Sequence, residues 1–284
     1  MPSISPIILI AVIAGMPAAQ ATPPIESISA GDELRISLTA GAWLPRLGGT
    51  SSLGSGGDEL DFQFDLDVDD LEPTFNGELA IQKADRWELM FTGFGFSTSN
   101  SERLDRPVEF GNLLIDRGDV ARTSVDITSA AMELGFPGWR APLGNQDRNR
   151  SSRGEPLAEI RLVPKLGARF MDIDESIEVG SLREEGDGTW LGVLGGIDLR
   201  TQLNLYDCVP FPRDLNVNAG IAGGPALGSD IGFFWQVHVG LNAGISEHVS
   251  LQFGYRLLEM NVQNEDFEFN AGLQGLFAGG TIRF

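Results

Sequence analysis

Charged side chains that alternate with apolar ones are the residues of this sequence that could do chemistry. Glu159, Arg161, Lys165 and Arg169 occupy one parity of a run whose other parity is aliphatic or aromatic. Successive side chains of a β-strand point to opposite faces, so these four share a face. An unpaired buried charge costs several kcal/mol. The pattern therefore predicts either a structural network of ion pairs inside a β structure or charges hydrated in a narrow water-filled tube.

The predicted network extends over most of the chain, because other runs also carry charges on their polar parity. Its predicted members are Arg35, Glu78, Glu88, Glu159, Arg161, Lys165, Arg169, Asp198, Arg200, His238, Arg256 and Arg283.

Histidine chemistry has few candidates, because the sequence contains two histidines. His238 lies in the middle of an alternating run on the polar parity, and a hydrolase would need a serine or carboxylate within about 3 Å of it. GxGxxG and HExxH motifs are absent. We therefore predict no catalytic residue, no enzyme activity and no cofactor, and keep a hydrolase as the less favoured alternative.

An acidic segment, residues 58–72, also alternates: Asp61, Asp65, Asp67 and Asp69 share one parity. Carboxylates are the hard oxygen ligands that Ca²⁺ prefers, but the segment lacks the glycine pattern of a known calcium loop. The sequence predicts a solvated acidic loop and no metal site, with these four aspartates as the weak candidates. Residues 172–178 and 184–187 are interpreted as further acidic loops.

Ten runs of period-two alternation position these side chains and predict ten antiparallel strands, with a range of eight to twelve. Most of them exceed the five or six residues usual in soluble strands. The runs cover residues 33–44, 73–83, 86–97, 121–136, 157–171, 189–203, 214–224, 231–245, 248–262 and 270–284.

The connections between the runs alternate in length. Residues 83–86 and 246–247 predict tight turns, whereas 45–71, 98–120 and 171–188 predict long polar loops. The basic segment 137–156 is an exception, being long where a short turn is expected. In the fourth run Asp126 and Glu133 fall on opposite parities, which predicts a bulge. Trp43, Trp87, Trp190 and Trp235 lie near run ends, as in an interfacial aromatic girdle.

Composition bounds the class of protein. Forty acidic and twenty basic residues give a net charge of −20, which argues against nucleic-acid binding. The single cysteine, Cys208, excludes an intramolecular disulfide. Residues 7–21 are apolar and end in Ala19-Gln20-Ala21, so we interpret 1–21 as a cleaved signal peptide. A short segment, 22–32, and one β domain, 33–284, follow.

The terminal GGTIRF, ending on Phe284, and LQFGYRLLEMNV, residues 251–262, resemble strands of small outer-membrane β-barrels of Gram-negative bacteria, the porin-like and OmpA-like class. The resemblance implies a single transmembrane antiparallel barrel in the outer membrane, with Phe284 as a signal for the barrel-assembly machinery. It also implies outer-membrane lipid and lipopolysaccharide as partners. The acidic loops predict a negative outer rim, which favours cations and lipopolysaccharide bridged by divalent cations.

The resemblance does not specify a function, because one fold hosts many. We expect a structural or surface-interaction protein, or a narrow passive pore with a charged, largely filled lumen. The alternatives are a soluble periplasmic or secreted β-barrel or sandwich that binds an apolar ligand and, less favoured, an outer-membrane hydrolase.

Overall fold

The computed structural model describes residues 34–54, 56–83, 86–143, 157–205, 212–228, 230–264 and 266–284. Within these ranges all regular structure is β-strand, and no helix could span a membrane. The strands are β1 (Leu34–Leu53), β2 (Leu60–Asp61), β3 (Thr74–Lys83), β4 (Trp87–Arg103), β5 (Val108–Phe110), β6 (Leu113–Ile115), β7 (Val120–Gly135), β8 (Arg140–Pro142), β9 (Ala158–Val179), β10 (Leu182–Asn204), β11 (Asp214–Leu227), β12 (Ile231–Gly244), β13 (Val249–Asn264) and β14 (Phe267–Arg283).

Ten of these strands close into one antiparallel barrel, which confirms the predicted fold class. The order around the ring is β1-β3-β4-β7-β9-β10-β11-β12-β13-β14, and β14 pairs back onto β1 from Ser37↔Arg283 to Leu53↔Phe267. Closure leaves no unpaired edge within the ring. The end that holds Leu34 and Phe284 is called the terminal end below, and the opposite end is called the loop end.

Near the terminal end, apolar side chains point outward and polar ones inward. On β13 the outward Leu251 and Phe253 are 50% and 56% exposed, whereas the inward Ser250 is fully buried. This belt runs on β1 from Leu34 to Leu44, ten residue steps. At about 3.3 Å per residue and a tilt of about 40°, it is about 25 Å tall, the height of the apolar band of an outer-membrane barrel.

Above the belt the two faces exchange character. On β9 the outward side chain changes from Phe170 to Asp172 and Asp174, while the inward one changes from Arg169 to Met171. The change occurs at one level on paired strands, since Phe170 pairs with Leu191 and Asp172 pairs with Thr189. It occurs on β1, β4, β7, β9, β10, β13 and β14. The loop-end half therefore has the apolar interior and polar exterior of a water-soluble barrel.

The inside of the loop-end half is filled by what we call the apolar plug. Trp43 and Phe94 meet edge to face with ring centroids 5.0 Å apart, and Phe62 contacts Phe269 at 5.5 Å. The strand residues of the plug are Trp43, Leu47, Phe94, Phe96, Val125, Ile127, Met171, Ile173, Ile177, Trp190, Phe234, Leu258, Met260, Val262, Phe267, Phe269 and Leu273.

Two connections at the loop end, 54–73 and 104–119, complete the plug. They bond to each other and to the barrel: the amide of Asp58 donates to the carbonyl of Glu109 at 2.8 Å, and that of Gly111 donates to Leu53 at 2.9 Å. Their buried side chains are Leu60, Phe62, Leu66, Val68, Leu104, Val108, Phe110, Leu113 and Ile115. These capping loops cover the barrel mouth with apolar side chains.

Several boundaries predicted from the sequence are wrong for one physical reason. Residues 171–179 and 182–188 are strand, joined by a tight turn at Gly180, whose φ is 63°. β1 and β4 likewise extend to Leu53 and Arg103. Once the faces exchange, acidic residues appear on the outward parity, and the sequence pattern then resembles a loop.

The bulge predicted in the fourth run is wrong, and the same exchange of faces explains the opposite parities of its two acidic residues. β7 is continuous from Val120 to Gly135, with Asp126 outward above the belt and Glu133 inward at the level of the belt. Trp43 and Trp190, expected in an interfacial girdle, are buried in the plug. The segment 137–156 includes β8, and its residues 144–156 lie outside the described residues, as do the proposed signal peptide and Cys208.

Candidate functional site in the barrel interior

The interior at the level of the belt, here called the polar lumen, is centred on Lys165. Its Nζ lies 2.6 Å from Asp198 Oδ2 and 3.2 Å from Glu133 Oε2. All three side chains are almost fully buried, with exposures of 5–6%. Charged groups this deeply buried are stable only when paired. The attraction among these three side chains therefore offsets the cost of removing each of them from water.

Arg200 extends the network toward the terminal end. Its guanidinium contacts Glu88 at 2.7 Å and Asp198 at 3.2 Å. Arg161 pairs with Glu159 two residues before it on the same face of β9. Asp198 thus accepts from two cations, and the chain of contacts runs from the barrel centre to the terminal mouth.

Arg169 extends it toward the loop end. It donates to Ser129 Oγ at 3.1 Å and to Gln236 Oε1 at 2.5 Å, and Gln236 in turn donates to Glu133 at 2.9 Å. Its Nε has no hydrogen-bond partner among the described residues.

Arg256 lies at the boundary between the polar lumen and the apolar plug. It donates to Asn76 Oδ1 at 3.2 Å, and its guanidinium carbon lies 5.5 Å from the Trp43 ring centroid and 5.6 Å from that of Phe277. Contacts at these distances are cation–π interactions. A fixed cation and two aromatic rings therefore occupy the lumen where its polar half ends.

The remaining predicted residues lie at the same level or at the mouth. Glu78 points inward from β3, and Arg35 is exposed at the terminal end. Arg283 donates to Ser250 at 3.1 Å, and the amide of Phe284 donates to the carbonyl of Ile36 at 2.8 Å.

The surroundings of the His238 side chain are those of a structural residue and not those of a catalytic one. Its Nε2 lies 3.9 Å from Asp198 Oδ1, farther than the roughly 3 Å that an acid–base pair of a hydrolase requires. Asp198 is instead held by Lys165 and Arg200.

The four aspartates of the acidic segment hold the capping loop together. Asp61 accepts from the amides of Gln63 and Phe64, an Asx-turn arrangement. Asp65 pairs with Arg106 at 3.1 Å. Asp69 pairs with Arg46 at 3.5 Å, and Asp67 accepts from Asn100 at 3.2 Å. Within the described residues no cluster of three or more His, Cys, Asp or Glu side chains has an arrangement that could hold a metal ion.

Four polar side chains of the network lie outside the predicted set of network residues: Glu133, Ser129, Gln236 and Asn76. All four lie on inward positions of their strands. The parity of Glu133 was the available signal, and the apparent conflict with Asp126 concealed it.

Glu175 is a further unpredicted residue, inside the apolar plug and above the belt. It is 1% exposed; its Oε1 accepts from Ser51 Oγ at 2.8 Å across the barrel, and its Oε2 has no partner among the described residues. Burial raises the pKa of this carboxyl to about 8, an effect that the Ser51 hydrogen bond partly opposes.

The outer wall above the belt carries a row of carboxylates. Asp174 lies opposite Asp126 on β7 and opposite Asp187 on β10, and Asp172 precedes it on the same face. Partial burial first, then these like charges, raise the pKa of Asp174. Like charges directly opposite in a sheet are destabilising, so this row costs the isolated barrel stability.

No protein-family model matches the sequence, and no curated protein does. Solved structures with a similar fold include the outer-membrane protease OmpT of Escherichia coli, with 9% identity over 91% of this chain and 99% of that one at a TM-score of 0.43. Ail, the attachment invasion locus protein of Yersinia pestis, shows 11% identity over 89% and 99% at 0.35. The Pseudomonas putida toluene transporter TodX shows 10% identity over 89% and 90% at 0.27.

The protein is an outer-membrane-type β-barrel. Its closed ring of ten antiparallel strands and its outward apolar belt define the class.

Proposed function

We propose that this protein is a non-conducting barrel of the outer membrane that acts through its extramembrane surface. One observation carries the proposal: the interior is occupied at two successive levels, by ion pairs around Lys165 and then by the apolar plug. A barrel of about this strand number has an interior that side chains can fill. The filled interior favours surface interaction over the narrow passive pore.

The loop end is the proposed outer side. Outer-membrane barrels have longer extracellular than periplasmic connections, and the two capping loops lie at this end. On this proposal 1–21 is the cleaved signal peptide, and Phe284, exposed at the terminal end, is part of the assembly signal.

The proposed partners are cations and the anionic lipopolysaccharide that divalent cations bridge to the wall. The row of Asp126, Asp172, Asp174 and Asp187 supports this, because it lies directly above the apolar belt on β7, β9 and β10. A bound cation would offset the repulsion within the row.

Conductance in planar bilayers tests the proposal. The sample is first shown to be folded by the difference in gel mobility between unboiled and boiled protein. We expect no current steps from the folded protein across a wide voltage range. Reproducible single-channel steps that disappear on boiling would refute it and support a passive pore.

Retention of lipopolysaccharide tests the surface role separately. Asp172→Asn/Asp174→Asn should lower the Mg²⁺-dependent retention that the wild type shows and that chelation removes. Asp105→Asn, an exposed carboxylate in a capping loop, is the matched control. Equal retention by all three proteins would count against the acidic row as the contact.

A further inference from the structure

The buried carboxyl of Glu175 is hydrogen-bonded to β1 close to the point where a capping loop attaches to the barrel. Ser51, which donates to this carboxyl, is two residues before Leu53 on β1. The carbonyl of Leu53 accepts from the amide of Gly111 in the capping loop at 2.9 Å. The carboxyl and the attachment of the loop therefore share one short stretch of β1.

The neighbours of Glu175 on the adjacent strands leave it in apolar surroundings. Val125 lies opposite it on β7, and Gly186 lies opposite it on β10, where the ring of Phe267 fills the space that a side chain would take. Thr123, the next inward residue of β7 toward the loop end, is 1% exposed, and its hydroxyl has no partner among the described residues. The hydroxyl of Ser51 is thus the hydrogen-bond donor that the structure gives this carboxyl.

The charged side chains that point into the barrel do not neutralise Glu175. Glu184, also a carboxylate, is the next inward residue of β10 toward the loop end and lies beside Gly111. Arg169 is three inward positions away on β9 and donates to Ser129 and Gln236. The inward positions of β1, β7 and β14 at this level are uncharged, and the charged side chains of the capping loops are exposed or half-buried. An ionised Glu175 therefore needs water.

The capping loops are the part of the plug's enclosure that can admit water with the smallest loss of structure. The ring around the plug is held by continuous ladders of backbone hydrogen bonds. The loops are held by single backbone bonds, such as that from Phe62 to Gly49 at 3.0 Å, and by exposed ion pairs such as Arg106 with Asp65. Exposed ion pairs contribute little stability, and segments without ladders open at lower free energy than core strands.

We propose that Glu175 is a pH-dependent switch that keeps the capping loops closed while it is protonated and favours their opening when it ionises. Burial holds the pKa of this carboxyl at about 8 in the closed barrel, against 4.5 once water reaches it. The closed state is therefore most stable below the lower value, loses stability as pH rises to about 8 and is constant above that. The equilibrium constant for opening should rise about tenfold per pH unit within this window. The switch does not depend on the proposed surface function.

Hydrogen exchange of the full chain in lipid nanodiscs, followed by mass spectrometry from pH 5 to pH 9, tests the proposal after correction for the intrinsic pH dependence of exchange. The amides of Asp58, Phe62 and Gly111 donate the bonds that hold the capping loops. Peptides that contain them should lose protection about tenfold per pH unit up to about pH 8. Residues 249–262 of β13 should keep their protection at every pH, because they belong to the ring.

Three variants, each first shown to be folded by its gel mobility before and after boiling, assign the effect. Glu175→Gln cannot ionise, so protection of its loops should not depend on pH. Ser51→Ala leaves the carboxyl in place and removes the hydrogen bond that lowers its pKa, so the loss of protection should continue to higher pH. Glu184→Gln, the neighbouring inward carboxylate, is the matched control and should keep the wild-type profile.

Four results would overturn the proposal. They are loop protection in the wild type that does not change with pH, the same pH profile in Glu175→Gln and the wild type, loss of the pH dependence in Glu184→Gln, and an equal loss of protection in β13. The last result would mean that the whole barrel unfolds and that the capping loops do not open by themselves.

Discussion

Replacing Glu175 with glutamine should stabilise the loop-end half of the barrel, and the effect should grow with pH. The carboxyl is buried in the apolar plug and shares a hydrogen bond with Ser51. Glutamine has nearly the same shape, can accept the same hydrogen bond through its carbonyl oxygen and cannot ionise.

The magnitude follows from the pKa. Burial raises the pKa of Glu175 from 4.5 to about 8, so between these values the folded protein holds a proton that the unfolded chain has released. Stability of the wild type therefore falls as pH rises through this window and is constant above it. A shift of about 3.5 units corresponds to about 5 kcal/mol at 1.36 kcal/mol per unit, an upper limit if water enters the site.

The assay is urea unfolding in detergent micelles from pH 4 to pH 9. Trp43 and Trp190 report the plug by fluorescence, because both rings are buried in it. The difference in unfolding free energy between Glu175→Gln and wild type should be near zero at pH 4 and largest at pH 8 and above. Glu268→Gln, an exposed position on β14, is the control. Parallel pH profiles for Glu175→Gln and wild type would refute the reasoning.

Three further substitutions test separate parts of the structure. Lys165→Met leaves two carboxylates without their shared cation and should cost about 3–5 kcal/mol in urea unfolding; an unchanged midpoint would argue for a hydrated lumen. Phe253→Arg, in the middle of the belt on β13, should lower folding stability in bilayers by about 2–4 kcal/mol, whereas Gln274→Arg, just above the belt on β14, should have little effect; equal costs for the two substitutions would contradict the position assigned to the belt. Phe269→Ala should cost about 3–5 kcal/mol by opening a cavity in the plug, and a loss below 1 kcal/mol would show that the plug is loosely packed.

Alternation alone predicts the part of the barrel that lies in the belt. β13 and β14 alternate in a single sense over the residues near the terminal end, so their faces follow from period two. Alternation does not show which face of a strand contacts lipid. That assignment depended on the length of the runs and on the resemblance of the terminal strand to strands of outer-membrane barrels. The closed ring of ten strands confirms the architecture.

The loop-end half was missed because one rule was applied to whole strands. Where a strand leaves the membrane, its outer face passes from lipid to water. The polar residues therefore move from the inward to the outward positions of the strand. Asp172 and Asp174 then resemble loop residues although they lie on β9. Glu175 was missed for the same reason, because a single buried carboxyl in a segment assigned as a loop does not produce a recognisable sequence pattern.

The polar lumen was predicted as a set of residues but not as a set of pairs. Inward parity identifies Lys165 and Asp198, but which carboxylates Lys165 contacts depends on the register between β7, β9 and β10. That register depends on the turn at Gly180 and on which face each strand buries, and the turn was predicted as part of a long loop. Glu133 is the clearest example, since its partner Lys165 is 32 residues away.

Accessibility along the outward face of β14 tests the two-level barrel most directly. The single native cysteine is first replaced as Cys208→Ser, and Asn270, Gln274, Leu276 and Ala278 are then changed to cysteine one at a time. The proteins are placed in lipid nanodiscs and treated with a membrane-impermeant maleimide. We predict rapid labelling at 270 and 274 and protection at 276 and 278. Labelling at all four positions, or protection at 270, would contradict the account.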